Sequence, residues 1–143
     1  DGSSILAVGC GCGFLARELN SDYNFVGVDY SESIIKKHKQ LFDHEVYVCE
    51  SNNLIFENKS FDYVFCYGLF QYLPDNDYAR QTLREMERVS RKGIFVGDLK
   101  NEKTRDTHFV FPKEEFIELG FSIVYAEDVR DGADRYSAVR RLK

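Results

Sequence analysis

The sequence has no long apolar run, no excess of positive charge and few cysteines. No apolar stretch approaches the roughly 20 residues of a membrane-spanning helix, so we expect no membrane association. The formal net charge of −5 removes a general electrostatic argument for binding nucleic acid. Four cysteines do not indicate a secreted disulfide framework, and no spacing of zinc ligands is present. The first residues lack a signal peptide, so we expect a soluble, cytoplasmic protein. Because no spacing of metal ligands is present, we expect no bound metal.

The residues that are present are typical of one globular domain. Apolar residues make up 43% of the 143, and charged residues of mixed sign make up 30%. A chain of this length buries a continuous core without help from a disulfide or a metal. We therefore expect a single domain over residues 1–143.

Short apolar segments alternate with segments of helical spacing along most of the chain. Strands are predicted at 4–8, 24–28, 45–49, 61–66 and 93–97, and helices at 14–19, 31–41, 75–91 and 112–119. This alternation is typical of a parallel sheet covered on both faces. The last two apolar runs, 121–129 and 135–142, flank a turn-forming segment at 130–134 and predict an antiparallel hairpin.

A glycine-rich loop directly follows the first predicted strand. Gly9, Gly11 and Gly13 would let the backbone turn tightly and approach a ligand closely. Asp29 closes the second strand, where a carboxylate can accept hydrogen bonds from both hydroxyls of a ribose. Together these features predict a nucleoside site at the carboxyl ends of the strands, rather than a plain turn between strand and helix.

The loop does not match two common nucleotide motifs. A dinucleotide fingerprint would have glycine or alanine at the position of Phe14, and a phosphate-binding P-loop would need a Gly-Lys-Ser/Thr sequence that is absent. A dinucleotide-binding oxidoreductase domain is therefore the weaker alternative.

Five motifs follow one another along the chain, at 8–13, 26–31, 50–56 and 60–64, and the fifth at 69–74 together with 84–93. In this order and spacing they resemble the motifs of class I S-adenosylmethionine-dependent methyltransferases, and the resemblance extends over nearly the whole chain. It implies an α/β, three-layer Rossmann-like fold. The seven-stranded sheet would be mostly parallel, in the order 3-2-1-4-5-7-6, with strand 7 antiparallel.

The resemblance also implies a binding site for the cofactor S-adenosylmethionine. Its residues would be Gly9, Cys10, Gly11, Gly13, Asp29, Tyr30, Glu50, Ser51, Cys66, Tyr67 and Gly68. The glycines would pass under the methionine part, and Asp29 would hold the ribose. Tyr30 would lie against the adenine, unless it is merely an exposed aromatic in a turn. Glu50 and Ser51 would contact the adenine edge, and residues 66–68 would line the methyl donor.

No catalytic triad is visible, and methyl transfer from a sulfonium does not require one. The reaction is an in-line displacement with a neutral leaving group, so it depends mainly on proximity, alignment and exclusion of water. Candidates around the methyl group are Tyr67, Gln71, Tyr72, Asp98 and His108, the last a possible base. The simpler interpretations are that Tyr72 packs in the core, that Asp98 is a polar residue at a strand end and that His108 is a loop histidine.

We expect methyl transfer to a small-molecule acceptor and no nucleic-acid partner, because the chain is acidic and offers no platform for a duplex. The alternative is a non-catalytic cofactor-binding or structural module of the same fold. Two departures favour it: Ala7 stands where the family usually has an acidic residue, and the chain begins almost at the first strand, without the helices that precede it in relatives. The sequence indicates neither the acceptor nor the oligomeric state.

Overall fold

A computed structural model describes residues 2–18, 23–103, 105–125 and 135–143. In these ranges one sheet contains seven strands: β1 (Ser4–Val8), β2 (Asn24–Asp29), β3 (Glu45–Val48), β4 (Phe61–Tyr67), β5 (Ser90–Lys100), β6 (Ser122–Tyr125) and β7 (Arg135–Arg141). Their order is β3-β2-β1-β4-β5-β7-β6. Strands β1 to β5 are parallel, and β7 runs antiparallel to both β5 and β6. The predicted fold class, strand order and direction of strand 7 are confirmed.

The described helices are α1 (Phe14–Glu18), α2 (Glu32–Leu41), α3 (Asn76–Val89) and α4 (Lys113–Glu118), with a 3₁₀ turn at Phe70–Tyr72. Ser31 caps α2 by accepting a hydrogen bond from the Ile34 amide. Asp75 caps α3 by accepting one from the Tyr78 amide at 2.8 Å. Such caps satisfy amides that have no partner within their own helix. No helix in the described ranges is long and apolar enough to cross a membrane.

The boundary between α3 and β5 differs from the prediction. The helix was predicted to reach Arg91, but it ends at Val89, and β5 extends well beyond 93–97 in both directions. Ser90 pairs with Phe61 of β4, and its hydroxyl donates to the carbonyl oxygen of Gly93 at 2.8 Å. Pairing with neighbouring strands therefore decides the conformation of a segment whose local sequence favours a helix.

One smaller difference concerns the start of α4, and two predicted element ends cannot be compared with the structure. Pro112 is the N-cap of α4 and does not lie in its first turn. The predicted end of the first helix, at residue 19, lies outside the described residues. So does the predicted turn at 130–134, together with residues 126–129 of the run predicted at 121–129.

Side chains are buried on both faces of the sheet. The larger cluster includes Leu6, Val64 and Ile94 from the strands, with Met86 of α3 and Phe116 of α4. A smaller cluster joins Ala7 of β1 with Ile35 of α2 and Val46 of β3. The two clusters hold helices against opposite faces of the sheet, which leaves the carboxyl ends of the strands as the place where loops meet.

Candidate functional site

A cavity of about 310 Å³ lies at the carboxyl ends of β1 to β4. It is lined by Gly9, Asp29, Tyr30, Cys49, Glu50, Ser51, Leu69, Tyr72, Leu73, Pro74 and Tyr78. The sheet order reverses here, because the chain runs from β1 outward to β3 and then returns to the other side of β1 as β4. Ligands of open α/β sheets bind at such a switch point, and small-molecule sites have volumes of about 300–1,000 Å³.

Asp29 connects the glycine loop to the end of β2. Its Oδ2 accepts a hydrogen bond from the Gly11 amide at 3.1 Å, and its Oδ1 accepts one from the Ser31 amide at 3.0 Å. The residue is only 8% exposed, yet it lines the cavity. An ionised carboxylate accepts about four hydrogen bonds, so two backbone donors leave capacity for a ligand. Asp29 can therefore shape the loop and hold a ligand hydroxyl at the same time.

Two glycines of the loop are required for different physical reasons. Gly9 lines the cavity, has φ +71° and would place a Cβ 3.2 Å from the side chain of Leu69, another residue of the cavity wall. Gly13 has φ +101° and would place a Cβ 2.6 Å from the ring of Phe42, just after α2. Glycine therefore allows close contact with Leu69 at position 9 and allows the loop to pack on Phe42 at position 13.

The end of β3 is joined to the first turns of α3 by side-chain hydrogen bonds. The hydroxyl of Tyr78 donates to the carboxylate of Glu50, and the hydroxyls of Ser51 and Thr82 are bonded at 2.9 Å. Burial and, next, the bond to Glu50 raise the pKa of Tyr78, so its phenol stays protonated. Tyr30, which is 68% exposed, stands at the rim of the same cavity.

The structure brings five of the predicted cofactor residues together in the cavity wall, namely Gly9, Asp29, Tyr30, Glu50 and Ser51. The other six, Cys10, Gly11, Gly13, Cys66, Tyr67 and Gly68, lie outside that wall. The thiol of Cys10 packs against Gly27, and Cys66 is fully buried in the larger core cluster. Their roles toward a cofactor stay predictions, and these two thiols face the core.

The cysteines are expected to differ sharply in reactivity. Burial, and for Cys10 also the Asp29 charge, raises the pKa of Cys10 and of Cys66 to about 12. About 10⁻⁴ of such a thiol is ionised near pH 8, and the thiolate is the reactive form. Iodoacetamide should therefore label the partly exposed Cys12 of the folded protein and spare Cys10 and Cys66. Peptide mass spectrometry, with urea-unfolded protein as the control, checks this, and labelling of all three at similar rates would contradict it.

Four of the five predicted catalytic candidates lie together beside the cavity. Gln71, Asp98 and His108 line a small groove, and the rings of His108 and Tyr72 meet edge to face with centroids 5.2 Å apart. Tyr72 also lines the main cavity, so its ring touches both that cavity and His108. The fifth candidate, Tyr67, is exposed, and its ring lies close over Gly97 of β5.

The simpler interpretations of these candidates need revision. Tyr72 is not packed in the core, because it is 62% exposed. Asp98 lies within β5 with φ +57°, where the pairing with β7 is interrupted, and its carboxylate accepts a hydrogen bond from Arg135. His108 is in a loop, as expected, but its ring is buried. Desolvation and, next, the charges of Lys100 and Arg105 lower the pKa of His108, so the imidazole is neutral near pH 7.

Sequence reasoning did not assign five residues of the cavity wall to a site, namely Cys49, Leu69, Leu73, Pro74 and Tyr78. The location of segment 69–74 could have indicated a part of the ligand site, since this segment directly follows β4 at the switch point. No local pattern shows that the turn of α3 with Tyr78 reaches the end of β3.

Residues 5–93 match the family model described as Methyltransferase domain. The chain is similar to phosphoethanolamine N-methyltransferase 1 of Zea mays, with 31% identity over 129 residues that cover 85% of this chain and 26% of that protein. It is 28% identical over 108 residues to the probable tRNA methyltransferase 9B of Mus musculus, covering 73% of this chain and 24% of that protein. The chain thus spans about a quarter of the length of these curated relatives.

A solved structure of an S-adenosylmethionine-dependent methyltransferase from Methanosarcina mazei has the same fold. The TM-score is 0.78 at 16% identity, and the match covers 98% of this chain and 92% of that chain. The family model covers the glycine loop, Asp29 and the segment after β4, and the Zea mays relative extends the match over most of the sequence. The chain belongs to the methyltransferase domain family and has the Rossmann-like fold of its S-adenosylmethionine-dependent members.

Proposed function

We propose that this chain binds S-adenosylmethionine in the cavity at the switch point and transfers its methyl group to a small-molecule acceptor. The observation that carries the proposal is the double role open to Asp29. Its carboxylate accepts a hydrogen bond from the Gly11 amide at 3.1 Å. It also faces the cavity, where the hydroxyls of a ribose need a hydrogen-bond acceptor.

The cavity wall fits the parts of this cofactor. The carboxylate of Asp29 would accept from the ribose hydroxyls, and the exposed ring of Tyr30 would stack on the adenine. Leu69, Leu73 and Pro74 supply apolar surface, as small-molecule sites generally do. A side chain at position 9 would crowd Leu69, so glycine allows these two parts of the wall to lie close together.

The cofactor would supply an activated methyl group. This chain would align the acceptor with that group and exclude water from the site. Displacement at the methyl carbon needs the acceptor atom in line with the departing sulfur, and a neutral leaving group needs no acid. Tyr72 lies between the main cavity and the groove that holds Gln71 and His108. A neutral His108 beside Tyr72 would take the proton that an acceptor hydroxyl or ammonium group loses.

A small acceptor is preferred to nucleic acid on electrostatic grounds. The net charge of −5 opposes the phosphate contacts that dominate affinity for RNA. The relatives include a protein named for phosphoethanolamine and one named for tRNA, so both acceptor classes belong in the test.

A non-catalytic module that keeps the cofactor site is the second candidate. Ala7 favours it, because this residue is buried against Cys10, Ile35 and Val46 and offers no polar group to a ligand. Such a module would bind the cofactor and release no product.

The test combines calorimetry with S-adenosylhomocysteine and a turnover assay. Protein and S-adenosylmethionine are incubated with a panel of small amines, phenols and carboxylic acids, or with unmodified tRNA, and release of S-adenosylhomocysteine is measured by mass spectrometry. We expect saturable binding and release that depends on a small acceptor. His108→Asn should keep the binding and lower turnover about 100-fold, the usual contribution of a general base.

Each other outcome removes a defined part of the proposal. Release only with tRNA would contradict the small acceptor, and binding without release for any acceptor would favour the module. Absence of binding would overturn the cofactor assignment. Unchanged turnover in His108→Asn would exclude His108 as the base.

A further inference from the structure

His38 of α2 is fully buried, and both of its ring nitrogens have hydrogen-bond partners. Nδ1 lies 2.9 Å from the carbonyl oxygen of Gly11, and Nε2 lies 3.1 Å from Nδ1 of His44. Phe42 contacts the rings of both histidines, with centroids 5.6 Å from His38 and 5.2 Å from His44. A buried polar ring held in this way connects α2 to the glycine loop.

The carbonyl partner of His38 determines the position of one hydrogen. A carbonyl oxygen only accepts, so Nδ1 of His38 carries a hydrogen and donates it to Gly11. Nε2 of His38 and Nδ1 of His44 share a second hydrogen bond, in which the protonation of the two rings decides which nitrogen donates. Burial and, next, the neighbouring His38 lower the pKa of His44, which favours the neutral form of that ring. The pair thus presents one directed N–H to the loop.

Gly11 is held from both sides. Its amide donates to Asp29 of β2 at 3.1 Å, and its carbonyl accepts from His38 of α2 at 2.9 Å. It has φ +55°, and a Cβ at this position would meet nothing within 4 Å, so no neighbouring side chain fills the space on that side of the residue. A glycine without restraint samples many conformations, and ordering it on binding would weaken a ligand's affinity. The two hydrogen bonds remove that freedom in advance.

We infer that His38 is a positioning residue of the cofactor site, which holds Gly11 and through it the glycine loop whose Gly9 lines the cavity, and that His44 orients His38. His38 lies outside the cavity wall and acts through the loop. The inference rests on the proposed function, because it assigns to α2 a part in binding S-adenosylmethionine.

Two substitutions separate the hydrogen bond from the packing. In His38→Asn the amide nitrogen takes the place of Nδ1 and can still donate to Gly11, although a smaller side chain leaves a gap. In His38→Leu an apolar side chain fills more of the space, but the donor is lost. Affinity for S-adenosylhomocysteine should fall in the variant that lacks the hydrogen-bond donor, His38→Leu. The melting temperature should fall more in the variant that leaves a gap, His38→Asn.

We expect His38→Leu to bind S-adenosylhomocysteine about tenfold more weakly than the wild type, and His38→Asn to bind within about threefold of it. Calorimetry gives the affinities and thermal unfolding gives the stabilities. If His38 mattered only for folding, affinity would fall in step with the melting temperature, and the asparagine variant would not rescue binding.

Two further measurements keep the outcome clear. His44→Leu changes a partly exposed site and should weaken binding about threefold, which tests the pair even where a variant at His38 fails to fold.

Nitrogen NMR of the free protein should show His38 as the Nδ1–H form, and the Nε2–H form would overturn the inference. Wild-type affinity in both leucine variants would also overturn it, and would leave the proposed function standing. Absence of binding by the wild type would overturn the proposed function and this inference together.

Discussion

Replacing Asp29 by alanine is expected to weaken the binding of S-adenosylhomocysteine about 100-fold or more. The change removes the acceptor for the Gly11 and Ser31 amides and the acceptor proposed for the ribose. A hydrogen bond to a charged group contributes about 1.5–3 kcal/mol. Losing the two bonds proposed from the ribose hydroxyls therefore corresponds to at least two decades of affinity. Isothermal titration calorimetry measures the effect directly.

Asp77→Ala is the matched control for this experiment. Asp77 lies in the first turn of α3, its side chain is 96% exposed, and its nearest cation is Arg80 at 3.4 Å. Its removal changes the net charge equally but should leave the affinity unchanged, since exposed ion pairs contribute little. Asp29→Asn, which keeps one acceptor oxygen, should lie between alanine and wild type. Equal affinity of Asp29→Ala and wild type would show that the ligand does not use this carboxylate.

Replacing Gly13 by alanine is expected to lower the free energy of unfolding by about 2–5 kcal/mol, from positive-φ strain and overpacking together. The residue has φ +101°, and a Cβ would lie 2.6 Å and 2.7 Å from two ring carbons of Phe42. The ring is confined by contacts with both His38 and His44, so it cannot move away easily. Urea unfolding monitored by circular dichroism measures the loss.

Gly11→Ala separates the two contributions. Gly11 also has a positive φ, +55°, but a Cβ there would meet nothing within 4 Å, so only backbone strain of about 1–2 kcal/mol is expected. Shortening Phe42 to leucine in the Gly13→Ala protein should recover part of the loss, because it opens the space that the new methyl group needs. Equal losses in the two alanine variants would contradict the role of Phe42.

The strands of the sheet could be predicted because their evidence is local, whereas their order was implied by the resemblance to the methyltransferase family. Buried parallel strands leave short apolar runs between glycine and polar residues, as at Ser4–Val8 and Phe61–Tyr67. The extent of β5 could not be predicted in this way. Its outer residues are strand because β4 and β7 pair with them, and those partners are distant in sequence.

The same distinction applies to the candidate site. Residues at strand ends, such as Asp29 and Glu50, are placed in the cavity wall by the fold itself, so the motif sufficed to identify them. Tyr78 reaches the cavity only through the packing of α3, and His38 reaches Gly11 only through the packing of α2. The packing role of Gly13 was hidden for the same reason, because its neighbour Phe42 lies beyond the next strand and helix.

The crystal structure of this protein soaked with S-adenosylhomocysteine tests the cofactor site most directly. We expect the nucleoside in the cavity at the switch point, with both ribose hydroxyls donating to Asp29 and the adenine lying against Tyr30. A nucleoside bound elsewhere on the chain, or a ribose that makes no contact with Asp29, would contradict the assignment.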